Sequence, residues 1–433
     1  MLLVGIVLIG GGGGAATACK LWLNCHTHAT PALVNEIQNY QGKSSGIKVD
    51  RPDLAVVTVA KGFTYPTDFA FLDDSHILVA ERDGRILSVT TAGVVSPTPV
   101  LDLRPRIDER YFRGVLGFAI DPDFKAHPYI YVVYTPRMGG AKAVSTIVRV
   151  SRFTMVGGRA DPRSERVIVG KDDSRPCEAQ PTSADCLPSS LDVDGSDIAF
   201  GSDGTLFIST GFGGGLEHVE HSATLAQDVN TLGGKLLHID RDGRGLPDNP
   251  FWNGDPSANR SKVWAVGFRN PFRFGQVKSD PLTFLVGNVG WDWRESIYRV
   301  TRGGDYGWPC YEGLMRTPEY NVTAFCREYY RANPKPPTGV WLQISHPKAI
   351  TMVAGPALEQ ATKLPADLRG DFLFADWGRG DISVASPERG EHASTVTRIA
   401  HNAGGPDRFR VGPDGALYYL AANSGELRRV SQK

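Results

Sequence analysis

The sequence predicts an all-β chain folded as a six-bladed β-propeller. Three observations carry this expectation. Glycine (49) and proline (29) are abundant in the 433 residues, while long amphipathic periods are scarce. That composition favours short strands joined by turns. Short apolar–x–apolar runs recur in pairs along the chain. Tight-turn signals, most often Asp-Gly, separate the runs. No such unit can bury both of its faces alone, so several must pack around an axis. About six units can be counted. A pair of β-sandwiches is the runner-up and fits the repeated turn placement less well.

In chain order, residues 1–18 read as an export or lipoprotein signal. Leu2–Ile9 is an apolar run too short to span a membrane, and Ala16-Thr17-Ala18 resembles a cleavage site. Cys19 then stands where a lipid anchor would attach. Residues 19–55 read as a polar linker or tail, and 56–433 as the propeller. Its first unit is Tyr65–Val89, with turns at Asp73-Asp74 and Arg82-Asp83-Gly84. Gly114–Thr135 follows, with an Asp-Pro-Asp turn. Gly195–Gly211 turns at Ser202-Asp203-Gly204, Gly234–Gly245 at Arg241-Asp242-Gly243, and Val411–Val430 at Pro413-Asp414-Gly415.

Six cysteines support an oxidising compartment. Cys177 and Cys186, and Cys310 and Cys326, form short-range pairs in loops, as ring-closing disulfides do. No pair has Cys-x-x-Cys spacing, which argues against zinc. Asn259-Arg260-Ser261 and Asn321-Val322-Thr323 match the glycosylation pattern. Lys+Arg and Asp+Glu both number 47, so no basic surplus points to nucleic acid or an anionic membrane.

The stretch most suited to chemistry runs from Trp264 to Cys310. Arg269-Asn270-Pro271 ends an apolar strand with a planar guanidinium beside an amide, a combination that suits a flat, oxygen-rich anion. The bland alternative is a structural arginine satisfying carbonyls at a blade edge. Trp293, Tyr306 and Trp308 are expected to pack between blades.

Several stretches together resemble the glucose/sorbosone dehydrogenase family of soluble quinoprotein sugar dehydrogenases. They are Arg113–Thr135, Asp197–Gly211, Ala226–Phe251, WAVGFRNPFRF, VGNVGWDWRESI, GGDYGWPCYEG and DGALYYL. The resemblance runs from about Gly62 to Val430. It implies a propeller holding pyrroloquinoline quinone (PQQ) and calcium (Ca2+) near its axis. It also implies a base that takes the proton of a sugar C1 hydroxyl, with an external electron acceptor. Carried over by position, Arg269 and Asn270 face the quinone, and basic residues near Arg379 and near Arg408 or Arg410 clamp it. Glu217 is a further polar candidate for contact with the cofactor. The carbonyls of Gly290 and Trp291 hold the calcium ion.

The chain also departs from the family. The family's catalytic histidine falls at Val193, and an acid after the next strand falls at Phe212. Asp194, His218 or His346 could supply the missing base, with Arg269 stabilising developing charge. Each has a bland alternative: Asp194 as a turn former, the histidines as loop residues. The expected activity is PQQ-dependent oxidation of an aldose at C1 by a secreted, periplasmic or cell-surface protein. The alternative is a redox-inactive propeller that binds carbohydrate or protein. A weaker third reading is calcium-dependent hydrolysis through a funnel cluster of Asp68, Asp192, Asp194 and Asn230.

Overall fold

The computed structural model describes residues 46–139, 145–190, 196–215, 219–277, 280–346, 348–349, 351–387 and 392–433. Six antiparallel sheets of four or more strands stand around one axis. Their innermost strands are Pro66–Phe71, Val115–Ile120, Ser196–Phe200, Asn270–Val277, Met352–Ala357 and Pro406–Val411. These meet one another in ring order and define blades 1 to 6. The fold is the expected propeller.

The Asp-Gly steps sit where the chain must turn. Gly204 and Gly415 have φ of 79° and 76°, a region that favours glycine. A Cβ on Gly415 would also lie 2.0 Å from Thr362 Oγ1.

The ring is closed by the N-terminal part of the chain. Leu54–Lys61 pairs antiparallel with Glu426–Gln432 and completes blade 6. Lys48–Val49 pairs with Ala393–His401 at the rim of blade 5. The propeller therefore begins before residue 56, and part of the segment expected to be a linker supplies blade edges.

Strand alternation sorts the loops between two faces. The turn between the second and third strands of every blade opens on one face, as does the crossover to the next blade. Residues 211–215, 267–269, 290–293, 346, 348–349, 351 and 377–380 all belong to that upper face.

Below it, the inner strands are tied by buried charges. Arg408 of blade 6 donates from Nε to Asp68 Oδ1 of blade 1 at 2.8 Å. It donates from Nη1 to Asp197 Oδ2 of blade 3 at 2.6 Å. Asp68 also accepts from the backbone N–H of Phe118 in blade 2, and Asp197 from that of Phe274 in blade 4. Arg273 of blade 4 donates to Asp407 and to the carbonyls of Leu116 and Thr67. Burial pushes Asp68 upward, but Arg408, Arg410 and Arg273 outweigh it and hold its carboxyl below the usual range. Five of the six blades share this network.

Arg408 is thus taken up by two carboxylates at 5% exposure. The expectation that it clamps a cofactor gives way to a role in the ionic core. Asp68 is likewise committed there, and Asn230 is an exposed turn residue bonded to Asp228. Asp192 and Asp194 lie outside the described residues. Asp68 and Asn230 form no joint funnel site for hydrolysis.

Arg408→Met leaves Asp68 and Asp197 as buried carboxylates short of their main partner. The expected loss of unfolding free energy is roughly 3–5 kcal/mol. It is read as a lower urea midpoint at unchanged slope, in cofactor-free protein. A loss below about 1 kcal/mol, the range of an exposed pair, would contradict the buried-network account.

Candidate functional site

The upper face carries an insertion that begins on the lower one. Residues 301–339 connect the last two strands of blade 4. They start beside Trp264, whose carbonyl accepts from Gly303 N–H at 2.8 Å. They climb along Val263–Val266, with Tyr306 N–H donating to Val266 and Trp308 N–H to Gly267. The Cys310–Cys326 disulfide then closes a loop that sets Trp308, Glu312 and Tyr320 over the turn at Gly290. The second expected disulfide, Cys177–Cys186, is also present. Phe212, Trp291, Trp308, Tyr311, Tyr320 and Tyr330 form one buried aromatic cluster around this loop. Tyr306 and Trp308 are buried as expected, but Trp293 is 41% exposed, because its turn faces solvent beyond the cluster.

Arg269 and Asn270 lie beneath that cluster. Asn288 Oδ1 accepts from both of their backbone N–H groups, at 3.2 and 3.1 Å, and fixes the pair. Gly267 precedes them with φ 83°, and a Cβ there would meet Asp305 Oδ1 at 2.4 Å. Arg269 Nη1 donates to Gly290 O at 2.6 Å and to Val289 O at 3.2 Å. Its Nε and Nη2, and Asn270 Oδ1, are buried without a hydrogen-bond partner. Arg269 is 2% exposed and Asn270 8%, so solvent does not satisfy them. Groups orphaned this way call for an explanation, since each bears a desolvation penalty of about 1–3 kcal/mol. Burial pulls the Arg269 pKa down, and Glu312 and Glu295 pull it back.

Two acids complete the site. Glu312 Oε1 accepts from the backbone N–H groups of Trp291, Trp293 and Arg294, at 2.7, 3.2 and 3.0 Å. Its Oε2 is buried and unpartnered. Burial raises the Glu312 pKa to about 7 against these bonds and Arg269. Glu295 Oε1 accepts from Gly290 N–H at 3.1 Å and meets His346 Nε2 at 2.9 Å. Its Oε2 accepts from Met352 N–H at 3.0 Å, so it also ties blade 4 to blade 5.

The candidates named from sequence separate into groups. Arg269, Asn270, Gly290 and Trp291 come together here. Arg379 also lies on the upper face, in a turn of blade 5, but its half-exposed side chain leans toward Asp381 at 3.7 Å. Asp194, Glu217 and His218 lie outside the described residues, as do Val193 and Cys19. Phe212 donates its backbone N–H to Arg269 O, and its ring lies 5.6 Å from that of Trp308. The site thus has an aromatic wall where an acid was expected.

Of the two carbonyls expected to hold calcium, that of Gly290 accepts from Arg269 Nη1 at 2.6 Å. Among the described residues, no group of three or more His, Cys, Asp or Glu could hold a metal ion. Asn259, one of the two glycosylation matches, is buried with Nδ2 donating to Thr182, Ala184 and Asn230 carbonyls. Asn321 of the other match is exposed.

Glu295 and Glu312 were not singled out from sequence. Glu312 is a lone acid within the aromatic run WPCYEG, a local signal that could have marked it, whereas Glu295 shares WDWRES with Asp292 and has no such signal.

A family model for Glucose / Sorbosone dehydrogenase matches residues 63–429. The HIPL2 protein of Arabidopsis thaliana is 27% identical over 257 residues, which cover 50% of this chain and 35% of that protein. Quinoprotein glucose dehydrogenase B of Acinetobacter calcoaceticus is 27% identical over 262 residues, 57% of this chain and 50% of the relative. The chain thus spans half or less of the length of these two relatives. The solved PQQ-bound form of aldose sugar dehydrogenase from Streptomyces coelicolor shares the fold with a TM-score of 0.63 at 20% identity. The likeness covers 90% of this chain and 98% of that one.

Glu312 binds its proton more tightly in the folded chain than its ordinary value near 4.5 implies. Its ionisation therefore subtracts stability, by nothing below about pH 4.5 and by the full amount above about pH 7. The full amount is on the order of 3 kcal/mol. Glu312→Gln keeps an oxygen for the three N–H donors and removes the titration. Denaturant unfolding should show the variant gaining on wild type as pH rises from 4.5 to 8. A constant difference across that range would mean Glu312 does not titrate there.

Proposed function

The chain belongs to the glucose/sorbosone dehydrogenase family, and we propose that it is an exported, PQQ-dependent aldose dehydrogenase acting at the sugar C1 hydroxyl. The observation that carries this reading is the buried, half-partnered fork of Arg269 with Asn270 beside it. A quinone oxygen or a carboxylate in its plane would satisfy Nε and Nη2 together. When bound, the quinone supplies the two-electron acceptor, and the protein supplies position and electrostatics.

The chain's own residues then have separate tasks. Arg269 holds the anionic cofactor edge and stabilises charge that develops there, away from water. Trp291, Trp308, Tyr320 and Phe212 exclude solvent from the guanidinium. The quinoprotein relative supports the cofactor class. The two disulfides support an oxidising compartment. A second reading, a redox-inactive module that binds carbohydrate, draws on Phe212. Its ring closes the wall where the family resemblance implied an acid.

Titrating PQQ into apo protein and following tryptophan fluorescence tests the first reading. Wild type should bind one equivalent, and Arg269→Ala should bind roughly 10- to 100-fold more weakly, the equivalent of about 1.5–3 kcal/mol. Dye reduction with a panel of aldoses should follow quinone loading. Wild-type protein that binds no quinone would leave the binding-module reading in its place.

A further inference from the structure

We propose that His346, oriented by Glu295, is the base that takes the proton from the sugar C1 hydroxyl. The inference rests on the function proposed above and deepens it by naming a residue far along the chain from Val193. His346 opens the crossover from blade 4 to blade 5, on the upper face. Its backbone N–H donates to Trp293 O at 3.0 Å. Its ring Nε2 meets Glu295 Oε1 at 2.9 Å.

A carboxylate only accepts, so Nε2 carries the hydrogen and Nδ1 is left as the acceptor of a neutral ring. Glu295 is held in turn by Gly290 N–H and Met352 N–H, at 3.1 and 3.0 Å. Its side chain is fully buried, whereas that of His346 is 24% exposed. The dyad thus has a fixed, dry inner member and an outer member within reach of solute. This is how an orienting acid serves a general base.

The dyad is also continuous with the Arg269 site. Arg269 Nη1 bonds Gly290 O, Gly290 N–H bonds Glu295, and the same carboxylate oxygen bonds His346. Burial alone would lower the imidazole pKa. Contact with Glu295, backed by Glu312 and Asp292, outweighs it and raises the value. Arg294, bonded to Ser345, is the neighbouring cation.

In the step assigned to His346, the C1 hydroxyl O–H bond breaks and its proton goes to Nδ1. The electron pair of that bond forms the C1=O bond of the lactone. The C1–H bond breaks, and its hydride, with two electrons, leaves for the quinone-class acceptor. The sugar is oxidised and the acceptor reduced. The imidazolium then returns its proton to solvent through its exposed edge.

The test uses the full chain, apo and PQQ-loaded, with His346→Gln, His346→Ala and Glu295→Gln. Quinone binding by His346→Gln, read by tryptophan fluorescence, should stay within about twofold of wild type. The rate of sugar-dependent dye reduction should fall about 10²- to 10⁴-fold in kcat with little change in KM. Added imidazole should restore part of the His346→Ala rate. Glu295 is a positioning residue. In apo Glu295→Gln, the His346 ring should titrate at lower pH by NMR, and the acidic limb of the loaded enzyme's pH profile should move with it.

If His346→Gln keeps the wild-type rate, this inference is overturned while the proposed function stands, and the base lies elsewhere on the upper face. Parallel loss of quinone binding and rate would assign His346 a structural role and also overturn it. Wild-type protein that binds no quinone overturns the proposed function, and this inference with it.

Discussion

Arg408 sits between Asp68 and Asp197, and the ring depends on that contact. The three residues come from blades 6, 1 and 3, and the two carboxylates also hold backbone N–H groups of blades 2 and 4. A propeller axis is a place where six inner strands converge with no partner across it. Apolar side chains could fill that space but would not set the rotation of one blade against another. A guanidinium with directional donors does so, because each N–H reaches only one position of each acid. The desolvation penalty of these charges is offset only while the set is complete, which makes the arrangement specific as well as stable.

Above that floor, the site is made by one insertion. Residues 301–339 rise from the lower face, lie along blade 3 and deliver Trp308 and Glu312 to a turn of blade 4. The turn at Gly290 is then read from both sides. Its N–H groups go to two acids and its carbonyl to Arg269. Gly290 leaves no room for a side chain, since a Cβ would lie 1.8 Å from Arg294 O. The position of the guanidinium, the two acids and His346 thus follows from one crowded peptide.

The fold was largely legible in the sequence, because turns are local. Gly204 and Gly415 need positive φ, and Asp-Gly beside an apolar run announces it. Leu54–Lys61 was read only in part, since its partner strand lies at the far end of the chain. The site was legible where one run of residues builds it, as at Arg269-Asn270. It was not legible where distant residues converge. Arg408 has the residue type of a cofactor clamp, and only the fold brings acids from 340 and 211 positions away onto it. Glu295 and His346 are 51 residues apart and share no motif. Spacing rules cannot detect a pair that two adjacent strands of one blade bring together across a long insertion.

The closure of blade 6 bears on how the molecule is made. Leu54–Lys61 leaves the ribosome early and has no partner until Glu426–Gln432 has been synthesised. Up to that moment the nascent chain is an open arc with two unpaired strand edges, the geometry that invites pairing between molecules. The last contact to form is also among the longest in sequence, so its loop entropy is met late and the search is slow. The first strand, LAVVTVAK, is mostly apolar, so until its partner arrives it is the edge most in need of protection from other chains.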